Sequence, residues 1–373
     1  MIGTIYEMLE RAKRLKEKMQ GANQDIHFNQ LSLITSKDID EAINQLQNLQ
    51  SDVQQNGETN LRGFLRRLKD SISQLDYLEN WPVAALNRQN PDDASLNSMI
   101  IKICREIQFP LTPPVASCMS QQYYFIIPKC NLMCVPLLES DFLLHIPDVY
   151  HEFGHLVIDT INNPKVGSFR KKLGRFIGIS KVHFQNEIAT QRRKSSQIQS
   201  KFHHLHNWKD CWAEFWSIEL FCDLLAVYCS GPAFGWAHLH LSIKRGGDPF
   251  HVPLYSQSEH PADDVRMSAI LKALELIGFS QEADAIKEKW EAYIKLSSFS
   301  KSPEYYHAYP KGLIEQSVVL ALEATKSTKF TLASNDNSGE IYCLLNKAWE
   351  LFLHSPDKYT IWERQQRKSL KIH

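Results

Sequence analysis

The residue types and spacing best suited to chemistry occur at residues 151–155, which read His-Glu-Phe-Gly-His. On a helix, residues four apart lie on the same face, so the imidazoles of His151 and His155 can reach one metal ion. Two imidazoles and a carboxylate suit Zn²⁺, and a fourth position open to water makes such a site catalytic. Glu152 follows the first histidine and can take a proton from that water. The alternative is two core histidines that stand four residues apart without a metal.

A second segment, residues 212–226, is strongly apolar but carries three acidic side chains, and buried acids need a partner. Glu219 and Asp223 are four residues apart and share a helical face. Glu219 is therefore a candidate third zinc ligand, and Asp223 a candidate acceptor for a hydrogen bond from a ligand histidine. Glu214 lies five residues before Glu219, about 140° around an α-helix, so both cannot face one ion. The alternative is that these acids lie at a solvated edge of the helix.

A third polar segment, residues 260–266, begins with a His-Pro pair and ends with an arginine. His260 and Arg266 could approach the metal site from a loop and from the helix that follows it. A donor fixed beside the metal, such as the His260 imidazole, would stabilise negative charge that develops on a substrate oxygen. The alternative is that His260 is an ordinary loop residue before a helix.

The three segments, in this order, resemble the gluzincin metallopeptidases. Within that group they look most like the branch of the CAAX prenyl endopeptidase and its bacterial heat-shock membrane relatives. That branch shows H-E-x-x-H, then E-x-x-x-D with a small residue three further on, then H-P-x-x-x-x-R. These patterns match residues 151–155, residues 219–223 with Ala226, and residues 260–266, so the resemblance covers roughly residues 110–275.

The resemblance implies that the chain binds one zinc ion. The implied ligands are His151, His155 and Glu219, and the implied general base is Glu152. It also implies hydrolysis of peptide bonds, so that the protein would be a metalloprotease with a peptide or protein substrate.

The resemblance further implies that His260 contacts the transition state. Asp223 and Arg266 would hold the ligand side chains in place without binding the metal themselves. In such enzymes a β-strand before the motif helix usually forms one wall of the cleft, and residues 133–138 occupy that place in the sequence. The branch is largely membrane-embedded, whereas no integral membrane segment is expected in this chain.

The elements that must position these residues are mostly helical. Pro147 and Asp148 predict a helix that begins at residue 147, because proline fits the first helical position and an acid suits the positive end of the helix dipole. Ser36 is expected to cap a helix, and Pro82 to break one. Four or five helices are expected from residue 262 to the end. Apolar spacing predicts the other helices over residues 2–19, 36–50, 61–78 and 99–107.

One β-hairpin is expected, formed by residues 122–127 and 133–138 around a turn at 128–131. The predicted fold class is therefore α+β and predominantly α-helical, with a zincin-like catalytic core, a small hairpin or sheet and flanking helical segments. The expected domains are an N-terminal helical region (1–109), the metallopeptidase core (110–278) and a C-terminal helical region (279–373).

The composition is that of a soluble globular protein, with 43% apolar and 23% charged residues among 373. Lys plus Arg and Asp plus Glu are equal at 42 each, so the net charge is zero and a whole-protein polyanion binder is not expected. Residues 215–243 are apolar over a membrane-spanning length, but Glu219, Asp223 and the Gly231-Pro232 break predict a buried helix and a turn instead. Without a signal-like N-terminus, the eight cysteines predict reduced thiols and a cytoplasmic location.

Positive charge is concentrated in residues 165–209, a basic insertion with eleven Lys or Arg and one Glu. This segment could bind an acidic partner protein, a membrane surface or nucleic acid, or it could be a solvated helical insertion. Its few aromatic residues disfavour nucleic acid. The histidines within residues 203–206 are expected in a surface loop rather than in a second metal site.

The residues together predict a zinc-dependent hydrolase. A metal-activated water attacks the scissile carbonyl, while Glu152 takes the proton of the water and then donates it to the leaving amine. Two other functions stay open. One is a zinc-stabilised helical interaction module that cleaves nothing, and the other is a binder of acidic partners through residues 165–209.

Overall fold

The computed structural model describes residues 2–20, 26–56, 60–88, 91–121, 123–138, 142–194 and 202–370. Within these ranges the chain is predominantly α-helical with one small sheet, which confirms the predicted α+β class. The chain divides into two compact units, one of residues 1–98 and 114–137 and the other of residues 99–113 and 138–373. The three-domain division at residues 109 and 278 follows different limits and stays a prediction.

Helices form most of the first unit because apolar side chains recur there at three- and four-residue spacing. The spaced residues Ile5, Leu9 and Ala12 are buried in its core, where the first helix packs on the second and the second on the third. The helices are α1 (Ile2–Gln20), α2 (Asn29–Asn56), α3 (Leu61–Leu78), α4 (Ala84–Asn87) and α5 (Pro91–Glu106), the last of which continues into the second unit.

Two expectations for these helices are wrong. Ser36 is not an N-cap, because α2 begins at Asn29 and its buried face already includes Leu31. Pro82 does not end a helix, because a π-helical turn, Glu79–Val83, connects α3 to α4 around it. Wider turns of this kind are inserted within otherwise continuous helices.

The sheet consists of β1 (Val115–Ser120), β2 (Phe125–Ile127) and β3 (Leu132–Pro136), in the order β1-β3-β2. The antiparallel pairing of β2 with β3 confirms the hairpin, although Gln122 lies outside the described residues. Strand β1 pairs with β3 in parallel and was not predicted. A residue distant in the sequence helps to hold it in place, since Asp93 of α5 accepts a hydrogen bond from the Cys118 amide at 2.8 Å. The expectation that residues 133–138 line a cleft stays a prediction.

Helix α9 lies at the centre of the second unit and is buried along its length from Glu219 to Ser230. It packs against α6, α10, α11 and α14. The helices of this unit are α6 (Pro147–Asp159), α7 (Gly167–Lys194), α8 (His203–Cys211), α9 (Ser217–Ser230), α10 (Pro232–Arg245), α11 (Asp263–Leu276), α12 (Ser280–Ser297), α13 (Pro303–Ala308), α14 (Lys311–Ser327), α15 (Glu340–His354) and α16 (Pro356–Leu370).

The apolar stretch at residues 215–243 forms the predicted buried helix and turn, and a second buried helix, α10, follows the turn. Gly231 has a φ of 66°, a conformation that favours glycine, and Pro232 begins α10. Among the described residues, no helix combines the length and apolar character needed to cross a bilayer.

The basic insertion is mainly one long helix, α7, and residues 195–201 within it lie outside the described residues. Residues 203–206 form the start of α8, so the prediction of a surface loop there is wrong. Six helices, rather than four or five, occupy residues 263–370. The additional boundary is Pro310, which separates the short α13 from α14.

Candidate metal centre

Helix α6 carries the His-Glu-x-x-His residues and begins where its sequence predicts. Pro147 is its first residue, and Asp148 lies in its first turn. The Nε2 atoms of His151 and His155 are 3.1 Å apart, and Glu152 is buried with 6% of its surface exposed. The helix therefore presents both imidazoles to one point, as the four-residue spacing predicts.

Helix α9 brings two acids to the same point. Glu219 Oε1 lies 3.4 Å from His155 Nε2, and Glu219 Oε2 lies 3.5 Å from His151 Nε2. Asp223 is completely buried, and its Oδ1 accepts a hydrogen bond from His151 Nδ1 at 2.7 Å. Glu214, in the π-helical turn Trp212–Trp216 before α9, is exposed instead. Glu219, and not Glu214, thus faces the histidines, as predicted, although part of the segment between them is π-helical and not α-helical as the predicted phase assumed.

The close approach of α6 to α9 depends on Gly154. A Cβ atom at this position would lie 2.8 Å from both the Cα and the Sγ of Cys222, well inside van der Waals contact. Because Gly154 lies between the two histidines in the chain, its missing side chain sets the distance between the imidazoles and the acids of α9.

Arg266 of α11 completes the arrangement behind His151. Its Nε and Nη2 donate to Oδ2 and Oδ1 of Asp223, both at 2.6 Å. An ionised carboxylate only accepts hydrogen bonds, so Nδ1 of His151 carries a proton. In the neutral ring the Nε2 lone pair then faces Glu219 and His155, which is the tautomer of a metal-ligating histidine held by a carboxylate.

The electrostatics of the site favour a cation at this point. Burial opposes charge on His151, but its hydrogen bond to Asp223 and its close contact with the Glu219 carboxylate outweigh burial and raise its pKa to about 10. Burial and the charge of His151 lower the pKa of His155 to about 4. Burial alone would raise the pKa of Glu219, yet the close contact with His151 and the charge on that residue lower it to about 2. The proton on His151 therefore supplies positive charge that offsets the negative charge of the two carboxylates. A bound metal cation would supply that positive charge instead.

The donor atoms fit a zinc ion. The two histidine Nε2 atoms are 3.1 Å apart, and each lies 3.4–3.5 Å from one of the two Glu219 oxygens, Oε1 beside His155 and Oε2 beside His151. Tetrahedral zinc bonds of about 2.0–2.1 Å place neighbouring ligand atoms about 3.3–3.4 Å apart. Among the described residues, the buried Oε2 of Glu219 accepts no hydrogen bond. A polar atom that lacks a hydrogen bond is therefore aimed at the point where the two imidazoles meet.

Cys222 is a further candidate ligand that sequence reasoning missed. Ligand atoms of His151, His155 and Cys222 all lie within 4.8 Å of one another. Its position three residues after Glu219, on the same side of α9, was the available indication. Burial raises the pKa of the Cys222 thiol well above its usual value, which keeps the thiol protonated, whereas the Glu219 carboxylate is already ionised. Glu219 is therefore the better third ligand.

His260 lies at the solvent side of the centre. Its Nε2 is 3.5 Å from Glu219 Oε2, and 51% of its side chain is exposed. The next two residues, Pro261 and Ala262, are buried, and α11 begins at Asp263. A loop thus brings His260 to the centre, and the helix after it brings Arg266 to the buried side.

Six of the residues singled out in the sequence meet in one cluster, joined by contacts of 2.6–3.5 Å. They are His151, His155, Glu219, Asp223, His260 and Arg266. The structure places Glu152 beside His151 on α6, and its role as a base stays a prediction.

Comparisons with known proteins gave no match to this chain, whether with protein-family models, with curated proteins or with solved structures. The gluzincin resemblance therefore stays a prediction from the three motifs.

Proposed function

We propose that this protein is a zinc-dependent peptidase of the gluzincin type. His151, His155 and Glu219 would hold one zinc ion, and Glu152 would be the general base. The proposal depends above all on one observation, the convergence of two imidazole Nε2 atoms and one buried carboxylate at 3.1–3.5 Å. A purely structural site would not need Glu152 beside the first ligand, which supports a catalytic one.

In this proposal the metal, when bound, supplies Lewis acidity to a water molecule and to the scissile carbonyl. Glu152 accepts a proton from the water and later donates it to the leaving amine. Asp223 and Arg266 keep His151 in the tautomer that ligates. His260, at the exposed side, donates a hydrogen bond to the oxygen on which negative charge develops.

The partner in this reaction is a peptide or protein. A cytoplasmic location belongs to the proposal as well, because all eight cysteines lie among the described residues and none of them forms a disulfide. Helix α7 exposes Lys171, Arg175 and Lys181, which offer a docking surface for an acidic partner. Retention on heparin that falls with salt would support this surface, and its absence would argue against it.

The experiment is hydrolysis of a mixed peptide library by the zinc-loaded protein and two variants. Glu152→Gln should lower turnover by about 10²–10⁴-fold, the usual contribution of a general base, while zinc content stays at the wild-type level. Glu214→Gln, a change of the same type at an exposed position, should match the wild type. Undiminished hydrolysis by Glu152→Gln, or none by the zinc-loaded wild type, would contradict the proposal.

A further inference from the structure

The loop between α10 and α11, residues 246–262, carries His260 and is held mainly by side chains from elsewhere. Trp208 Nε1 donates to the carbonyl of Pro253 at 2.8 Å, and Asn207 Nδ2 donates to the same oxygen at 3.1 Å. Further along the chain, Trp216 Nε1 donates to the carbonyl of Ser258 at 2.9 Å. A loop without regular structure is therefore fixed at several backbone positions, which restricts the places that its side chains can occupy.

Trp216 and a further anchor, Tyr309, flank His260 at equal distances along the chain. Trp216 binds the carbonyl of Ser258, two residues before it, and the hydroxyl of Tyr309 accepts a hydrogen bond from the amide of Ala262, two residues after it, at 3.2 Å. The two anchoring rings pack on each other with their centroids 4.9 Å apart. Both anchors thus belong to one aromatic pair, and movement of either end of the His260 segment would break its hydrogen bond to that pair.

The aromatic pair is connected to the metal centre through the chain itself. Trp216 is the last residue of the π-helical turn and lies three residues before Glu219 on a continuous helix. The His260 imidazole lies 3.5 Å from that same glutamate. One helix therefore holds both the ligand and the anchor that determines where His260 stands. Wider helical turns of this kind occur frequently at functional sites.

A buried indole N–H needs an acceptor wherever it lies, so a hydrogen bond to a loop carbonyl is not by itself functional. Trp208 provides the comparison within this protein. It makes an equivalent bond to the same loop, but at Pro253, seven residues before His260. Among these anchors of the described chain, Trp216 and Tyr309 are the two that bracket the histidine.

We propose that Trp216 and Tyr309 form an aromatic clamp that positions His260 for the reaction. The inference rests on the proposed peptidase function. The two aromatic residues are positioning residues, which act through His260, and they hold its backbone so that the imidazole is presented beside Glu219. A misplacement of about 1 Å at a reacting group can cost about 10²-fold in rate, so a clamp of this kind affects turnover more than substrate binding.

The test compares Trp216→Phe with Trp208→Phe in the full chain. Both variants keep an aromatic ring and lose one indole donor. Trp216→Phe should lower kcat by about 10- to 100-fold with little change in KM, and Trp208→Phe should leave kcat near wild type. In a His260→Ala background, Trp216→Phe should cause no further loss, because the clamp acts through that side chain.

Hydrogen exchange on the metal-free protein tests the clamp without reference to activity. Trp216→Phe should speed exchange of the amides within residues 258–262, and Trp208→Phe should not. If the wild type cleaves no peptide, the proposed function fails, and the clamp is then judged by exchange alone. Equal exchange in the two variants would overturn the clamp. So would equal kcat, or a Trp216→Phe loss that persists without His260.

Discussion

Replacing Gly154 by alanine tests the contact that brings the two ligand helices together. The added Cβ would lie 2.8 Å from Cα and Sγ of Cys222. Overpacking costs about 1–3 kcal/mol of folding stability. The upper half of that range applies because one of the two atoms in the clash is a backbone atom, which cannot turn aside as a side chain can. Removal of a helical glycine returns about 0.5–1 kcal/mol, so the net loss is about 1–2.5 kcal/mol. Tm should fall by roughly 2–10 °C, at roughly 2–4 °C per kcal/mol for a unit of this size.

The control for this variant is Gly178→Ala on α7. Apart from the backbone of its own helix and its two chain neighbours, no atom lies within 4 Å of a Cβ built at Gly178. The helical gain of about 0.5–1 kcal/mol is therefore unopposed, and Tm should rise. Thermal melts followed by circular dichroism, with and without zinc, measure both variants. Gly154→Ala should also bind zinc more weakly, because the imidazoles move away from Glu219. A Gly154→Ala protein with wild-type Tm and zinc affinity would show that the approach of α6 to α9 does not depend on this glycine.

Three further predictions concern individual side chains of the centre. Elemental analysis should find no zinc in Glu219→Ala, whereas Glu214→Ala and Cys222→Ser should retain it. Loss of zinc from Glu214→Ala or from Cys222→Ser would make that residue the third ligand instead. Asp223→Asn should weaken zinc affinity by about 10–100-fold in a chelator competition, and unchanged affinity would show that its bond to the ligand histidine is unimportant. His260→Ala should lower kcat by about 10²–10³-fold with zinc content and Tm near wild type, whereas equal kcat would remove it from the site and lost zinc would make it a ligand.

Features encoded by local spacing were predictable from the sequence. Pro147 and the four-residue interval between His151 and His155 specify a helix and one of its faces. The same reasoning separated Glu219 from Glu214, because helical phase allows only one of them to face the histidines. The break at Gly231 was predictable for a similar local reason, since glycine and proline together end a helix and start another.

Features that depend on contacts between distant segments were not predictable in this way. Strand β1 exists because α5 provides Asp93 and β3 provides a pairing edge, and neither is visible in the six residues of the strand. Cys222 reaches the centre because Gly154 lets two helices approach, a contact across 68 residues. The π-helical turn before α9 likewise has no sequence pattern of its own, and Trp216 acquires its role only through the distant loop that it binds.

Zinc analysis of the purified chain tests the proposed metal centre. We expect close to one equivalent of zinc per chain, removed by a strong chelator, restored by added zinc, and absent from a His151→Ala variant treated in the same way. A wild-type protein that holds no zinc even after reconstitution, or a His151→Ala variant that binds it as well as the wild type, would contradict the proposed metal centre.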